Sequence, residues 1–235
     1  MCDLGLDNYS AYRARLEADP LEWRVFDECC HITISRFFRD KGVFEVIRTH
    51  MLPDIAARAA REGRDAKVWS AGCASGEEPC TLKILWDVEV ASMHPSVRLS
   101  IIASDVDKAM LARARDGCFK PSSLRELPPP LIEQAFDRVG SQLCIRPKFR
   151  DGIEFLGQDL RTEMPLYTFD LILCRYVAFT YFAVPLQRKV LVGMLKRLRP
   201  EGYLVIGTHE QLPGDVPELV SPFGGPQIFQ RRSAP

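Results

Sequence analysis

One stretch limits the folds open to this chain: Lys67-Val-Trp-Ser-Ala-Gly-Cys-Ala-Ser-Gly-Glu-Glu-Pro-Cys-Thr-Leu82. An apolar run ends at Ser70, a turn carrying Gly72 and Gly76 follows, and a helix-forming segment starts near Glu77. That order predicts a buried strand, a glycine turn and a helix, the unit from which open α/β sheets are built. In such sheets, nucleotide-like ligands bind in the crevice beyond the carboxyl ends of the strands. Gly72 and Gly76 would let the backbone bend sharply and pass close to a ligand.

The residues of the turn select the ligand. A phosphate-cradling loop needs a lysine after its last glycine, where this chain has Glu77, and a dinucleotide fingerprint needs three glycines where this chain has two. Glu77 and Glu78 would repel phosphates. A ligand with positive charge and hydroxyls suits the turn better, and S-adenosylmethionine, with its sulfonium, amino group and ribose, has that character. Glu78 also has a second reading, because Ser75 and Glu78 stand at the spacing of a capping box. Both readings stay open on sequence alone.

At 235 residues the chain can hold one large domain, or one with a small appendage. Its 31 basic residues balance 31 acidic ones, which argues against nucleic acid as a partner. No apolar run reaches membrane-spanning length and no signal peptide opens the chain, so a cytoplasmic protein without membrane insertion is expected. The eight cysteines contain no C-x-x-C pair and several sit in apolar runs, so buried thiols are expected, not disulfides or a metal site.

Along the chain, residues 1–31 read as helical, with a break at Asp19-Pro20. The mixed segment Ile32-Thr-Ile-Ser-Arg-Phe-Phe-Arg-Asp40 either packs its phenylalanines in the core or lines a cleft. A helix from Val43 to about Arg61 carries Phe44, Ile47, Met51 and Ile55 on one face. A helix over Glu77–Ser92 leads to a second strand, Val97–Ala103, ending in Ser104-Asp105-Val-Asp107. An acid there holds a ribose diol in nucleoside-binding α/β folds. With two acids present, one can cap the next helix while the other binds, and Asp105 is favoured for the ribose. Leu131–Val139 reads as helical, and residues 117–152 read as a small insertion. The third strand, Ile153–Leu156, is followed by Asp159 and Leu160, which could meet an adenine. The fourth, Phe169–Cys174, is nearly all apolar, as befits a strand buried on both faces. Arg175 and Tyr176 follow it at the edge of the sheet that carries the glycine turn. Leu186–Leu198 reads as a helix, Tyr203–Gly207 as a fifth strand and Gln227–Gln230 as an edge strand. His209 stands in a loop with no partner visible.

Taken in order, Ile32–Asp40, Trp69–Pro79, Ala103–Asp107, Phe169–Arg175 and the region Leu198–Glu210 resemble the bacterial chemotaxis receptor glutamate methyltransferases. The resemblance spans roughly residues 8 to 230. It implies a doubly wound, mostly parallel, seven-stranded Rossmann-like methyltransferase sheet. Residues 1–62 would be a shortened helical N-terminal region and linker helix, and 63–235 the S-adenosylmethionine-binding domain with a small β-subdomain inserted over 117–152. It implies cofactor contacts from Thr33, Ser35, Arg39, Gly72, Glu78, Asp105, Asp159, Leu160, Arg175 and Tyr176, and a tyrosine facing the transferred methyl, best matched by Tyr181. Arg39 and Tyr181 would orient the reactants. The product would be S-adenosylhomocysteine, and the substrate a protein, the cytoplasmic region of a chemoreceptor, met by a monomer.

Three departures stand out: Tyr176 where the family has asparagine, Asp159 where asparagine is common, and the short N-terminal region. They sustain a rival reading, a cofactor-binding signalling or scaffold protein that kept the fold and lost transferase activity, or a methyltransferase for another protein. Amino-methylating enzymes carry an Asn/Asp-Pro-Pro-Tyr-like stretch after the fourth strand, and Cys174-Arg-Tyr-Val177 does not match it.

Overall fold

The structure, a computed structural model, describes residues 8–19, 21–22, 35–225 and 227–233. The chain forms two compact units, Met1–Ile34 and Ser35–Pro235. In the first, α1 (Tyr9–Ala18) starts at Asn8, whose side chain accepts a hydrogen bond from Ala11 N, and stops at Asp19. Glu22 accepts hydrogen bonds from Tyr12 Oη at 3.2 Å and Arg15 Nε at 2.9 Å. Thr33 and most of the helix expected before His31 lie outside the described residues.

The second unit opens with α2 (Lys41–Val46), which runs through a π-helical turn at 47–51 into α3 (Leu52–Arg61). Phe44, Ile47, Met51 and Ile55, the stripe read from the sequence, have no exposed surface. Then come β1 (Ala66–Ala71), α4 (Glu77–Leu85), β2 (Leu99–Asp105) and α5 (Lys108–Asp116). The insertion holds β3 (Cys118–Phe119), α6 (Pro129–Ala135), β4 (Phe136–Val139) and β5 (Gln142–Ile145). The main sheet resumes with β6 (Ile153–Gly157), β7 (Phe169–Cys174), α7 (Ala178–Tyr181), α8 (Val184–Arg197), β8 (Leu198–Ile206), β9 (Leu219–Val220) and β10 (Ile228–Arg231).

Seven strands form one sheet in the order β6-β2-β1-β7-β8-β10-β9. The first five are parallel, and β10 runs antiparallel to both of its neighbours. Side chains alternate between two apolar layers, as strand geometry requires. Val68, Leu171, Leu173, Tyr203 and Val205 join α2–α4 on one side, while Trp69, Ile172, Cys174, Leu204 and Ile206 join α8 on the other. From β1 the chain winds outward through β2 to β6, then returns to β7 on the far side of β1. The strand order therefore reverses between β1 and β7, and ligands of open α/β sheets bind beyond the carboxyl ends of strands at such a point.

Three expectations need correction. The strand expected at the sheet edge over Gln227–Gln230 is β10, which lies between β8 and β9 and pairs with both, so the edge falls to β9. The helix expected over Leu131–Val139 ends at Ala135, and Phe136–Val139 pairs instead with Gln142–Ile145 as a hairpin. Its two-residue loop has Gly140 at φ 59°, a conformation that favours glycine and matches strand twist. The expectation of free thiols throughout also fails. Antiparallel pairing sets Cys118 opposite Cys144, and the two form a disulfide between residues 26 apart in sequence. Cys73, Cys80 and Cys174 are free and buried, and Cys2, Cys29 and Cys30 lie outside the described residues. Among the described residues, no helix is long and apolar enough to cross a membrane.

Candidate functional site

The turn after β1 is held by the end of β2. Gly72 N and Cys73 N donate to Ser104 O at 2.7 and 3.0 Å, and Ala74 N donates to Asp105 Oδ2 at 2.8 Å. Gly72 has φ 78°, and a Cβ there would sit 2.3 Å from Val177 Cγ2 in the segment after β7. Glycine thus lets two sheet-edge segments touch. Asp107 caps α5 by accepting from Ala109 N and Met110 N, leaving Asp105 outside that task. Asp105 accepts one backbone N–H on each oxygen, from Ala74 and Asp107. A carboxylate has about four acceptor positions, so capacity for a vicinal diol remains.

The capping-box reading of Glu78 does not hold. Gly76, at φ 88°, occupies the N-cap position of α4, and Ser75 Oγ donates to Glu77 at 2.9 and 3.0 Å. Glu78 turns toward the crevice, where its oxygens accept from Ser70 Oγ at 2.7 Å and Arg175 Nη1 at 2.9 Å.

Segment 35–40 is strapped down by its phenylalanines. Phe37 meets Phe119 and Phe136 edge-on at 4.8 and 5.2 Å, and Phe37 N donates to Ser123 O. Phe38 lies 5.3 Å from Phe44, and its N–H donates to Thr81 Oγ1. Both readings of this segment therefore meet: the phenylalanines pack in the core while Arg39 and Asp40 join the crevice network. Ser35 stands partly buried just before this strap.

Arg175 is the hub, with a side chain 3% exposed. It donates to Glu78 Oε2 and Arg39 O, each at 2.9 Å, and to Asp40 Oδ2 at 2.5 Å. Burial alone would lower its pKa, but the carboxylates of Glu78 and Asp40 outweigh burial and the net shift is upward. Tyr176 Oη donates to the same Asp40 oxygen at 2.6 Å and meets Thr208 Oγ1 at 2.6 Å. The Arg39 guanidinium lies 3.9 Å from the centre of the Tyr176 ring. Beneath them Glu210, 4% exposed, accepts from Tyr176 N, Gly207 N and Thr180 Oγ1.

Phe38, Asp40, Ala74 and Tyr176 all have φ between 47° and 63°, and among the described residues only Glu201 shares this outside glycine. Such conformations cost about 1–3 kcal/mol each and collect where surrounding bonds over-determine them, which is common at ligand sites.

The remaining expected residues are more peripheral. Asp159 follows β6 and is engaged by Arg161 on both oxygens at 2.7–2.9 Å. Leu160 packs against the second apolar layer. Tyr181 ends α7 with 71% exposure, and His209 is exposed. Sequence reasoning assigned no role to Asp40, Thr208 or Glu210. Asp40 ends the Ile32–Asp40 motif, but no residue pattern marks Thr208 or Glu210, whose Tyr176 and Thr180 partners are about thirty residues away.

An open groove of about 850 Å³ lies elsewhere, along β6 between Arg115, Lys148, Arg150 and Phe155. Its arginines already serve backbone carbonyls: Arg115 serves Phe155 O, while Arg150 serves Asp116 O and Arg115 O. The crevice is the better candidate. It offers acids to a cationic nucleoside and backbone that can approach it closely, and Glu77 stands where a phosphate-binding loop has its lysine. Among the described residues, no group of three or more His, Cys, Asp or Glu side chains could hold a metal ion.

A family model described as "CheR methyltransferase, SAM binding domain" matches residues 33–228. The chain is 32% identical over 205 residues to a chemotaxis protein methyltransferase of Listeria innocua, a match covering 87% of this chain and 75% of that protein. Its match to a chemotaxis protein methyltransferase of Salmonella typhimurium is 30% over 224 residues, covering 92% and 74%. It is also 34% identical over 183 residues to an uncharacterized 104.1 kDa protein of Rhodobacter capsulatus, covering 77% of this chain but only 19% of that relative.

Proposed function

Because the chain belongs to the CheR methyltransferase family, whose domain binds S-adenosylmethionine, we propose that it methylates glutamate carboxylates of a protein, giving glutamyl methyl esters. The acceptor in this reading is the cytoplasmic region of a chemoreceptor, met by a cytoplasmic monomer. Residues 1–62 serve as its N-terminal region and 63–235 as its methyltransferase domain, with 117–152 inserted. One observation carries the proposal: Glu78 and Asp105, suited to a cationic nucleoside, share a sheet edge with Arg39, a cation suited to an anionic acceptor.

When bound, S-adenosylmethionine supplies an electrophilic methyl on sulfur and leaves as the thioether S-adenosylhomocysteine. Asp105 is assigned to the ribose diol, Glu78 and the Gly72 turn to the cationic end, and Asp159 with Leu160 to the adenine. Ser35 and Arg175 complete the wall, and Thr33 keeps the role implied by resemblance. A glutamate side chain in water loses its proton near pH 4.3, roughly, so the acceptor is ionised at neutral pH and no general base is needed. Arg39 and Tyr181 then align the carboxylate with the methyl, because orientation is the main contribution available to them. Opposite charges merge in the transition state, so Arg39 must orient the acceptor without over-stabilising its ground state.

The test is transfer of labelled methyl to a chemoreceptor cytoplasmic fragment. The expected product is an alkali-labile label that releases methanol and disappears when the acceptor glutamates are changed to alanine. Alkali-stable label would move the chemistry to another nucleophile. Binding of S-adenosylhomocysteine without transfer to any protein would favour a sensor or scaffold.

A further inference from the structure

Tyr176 is built into the crevice more firmly than a residue that only lines it. A tyrosine hydroxyl has one hydrogen to donate and two positions to accept. Here it donates to Asp40 Oδ2 and accepts from Thr208 N at 3.2 Å, with Thr208 Oγ1 at 2.6 Å as the third partner. The backbone is fixed as well: φ is 59°, and the Tyr176 N–H is held by Glu210 Oε2 at 2.9 Å. The same oxygen takes Gly207 N at 2.6 Å. Gly207 leaves the room the ring occupies, since a Cβ there would lie 2.7 Å from Tyr176 Cε1. Two segments, that of Asp40 and that running from Gly207 to Glu210, thus converge to hold one aromatic ring. What the ring carries is Arg39, with its guanidinium carbon 3.9 Å from the ring centre.

We propose that Tyr176 is the positioning residue for acceptor recognition, a fixed platform that orients the Arg39 guanidinium toward an acceptor carboxylate. The assignment rests on the reading that the acceptor is a carboxylate. Contact with an aromatic ring uses the face of a guanidinium, whereas a carboxylate is engaged by the N–H fork in its plane. A long arginine side chain otherwise loses rotamer freedom when it engages a partner. A platform that has already restricted the side chain lowers that loss and fixes the approach angle. The acceptor site thereby gains selectivity for planar anions over neutral amides.

The experiment uses the full chain, with Tyr176→Leu removing the platform and Tyr176→Phe keeping the ring but not its hydroxyl. Each is made alone and with Arg39→Ala, and two quantities are read: kcat/KM for a chemoreceptor cytoplasmic fragment and the Kd of S-adenosylhomocysteine. Cation–π contacts of this kind correspond to about a 2- to 30-fold effect. The expected result is a loss in that range for Tyr176→Leu and a smaller one for Tyr176→Phe. Neither should lower the rate further once Arg39 is alanine, and the Kd should stay within about twofold throughout. The non-additivity separates positioning through Arg39 from general loosening, which would lower both backgrounds alike. Losses that multiply in the double variant overturn the proposal. So does a weakened Kd with unchanged acceptor kinetics, which would make Tyr176 a cofactor wall. A wild-type chain that binds S-adenosylhomocysteine but methylates no carboxylate overturns the proposed function itself, and is recognised by the missing wild-type rate.

Discussion

Replacing Arg175 with methionine gives a test whose sign as well as size follows from the structure. The guanidinium makes three bonds, to Glu78, Asp40 and the Arg39 carbonyl, at 3% side-chain exposure. Breaking a buried ion pair from one side costs about 3–5 kcal/mol, because the remaining charge is left uncompensated. Here the two carboxylates are 15% and 22% exposed, and each keeps a hydroxyl partner, Ser70 for Glu78 and Tyr176 for Asp40. The lower end, about 3 kcal/mol, is therefore expected. For a chain of this size that is about 6–12 °C in Tm. The sharper readout comes from Glu78→Gln by urea denaturation. In the wild type it removes one carboxylate facing a buried cation and should destabilise by about 1–2 kcal/mol. With Arg175→Met present it removes a carboxylate that lacks its cation and should stabilise. If Glu78→Gln destabilises both backgrounds equally, the charge-hub reasoning is wrong.

Three further outcomes follow from the same geometry. Gly72→Ala combines a left-handed backbone with a Cβ 2.3 Å from Val177, so about 2–4 kcal/mol should be lost in urea denaturation; a loss under about 1 kcal/mol would contradict the close approach. The Arg161 hydrogen bond holds the Asp159 carboxyl below its usual range against a smaller opposing effect of burial. The resulting stabilisation is present above the unfolded pKa of about 3.9 and lost as pH falls through the folded value. Arg161 is 58% exposed, so Asp159→Asn should cost under about 1 kcal/mol at neutral pH, shrinking toward about pH 3, and a loss independent of pH would refute the pairing. Burial pushes the thiols of Cys80 and Cys174 up to about 12 and that of Cys73 well up too. Native protein treated with iodoacetamide at about pH 8 should leave all three unlabelled by peptide mapping, and rapid labelling of Cys174 would contradict its burial.

Locally encoded features were the ones legible in the sequence. The run Val68–Ala71 with Gly72 and Gly76 announces strand, turn and helix because apolar burial and positive φ leave direct marks on residue type. The stripe Phe44, Ile47, Met51 and Ile55 does the same for α2–α3. Two acids at the end of β2 divide between capping and other work on sequence grounds, and the structure makes Asp107 the cap. What was missed depends on pairing across the chain. Phe136–Val139 has no alternation strong enough to mark a strand, and its one cue was the Gly140-Ser141 loop. The Cys118–Cys144 bond follows from a register, not from spacing. Glu78 reads against Ser75 because both are local, whereas its partner Arg175 lies ninety-seven residues on. Glu210 is a buried carboxylate whose purpose emerges only once three backbone and hydroxyl donors converge on it.

The most direct measurement is calorimetric titration of S-adenosylhomocysteine into the wild-type chain and into Asp105→Asn. One saturable site is expected in the wild type. Losing charge-assisted hydrogen bonds worth about 1.5–3 kcal/mol should weaken the variant about 10- to 150-fold. Equal affinity for both proteins, or no heat with this ligand where a dinucleotide binds, would contradict the claim that the crevice beyond β1 and β7 holds the adenosyl group of S-adenosylmethionine through Asp105.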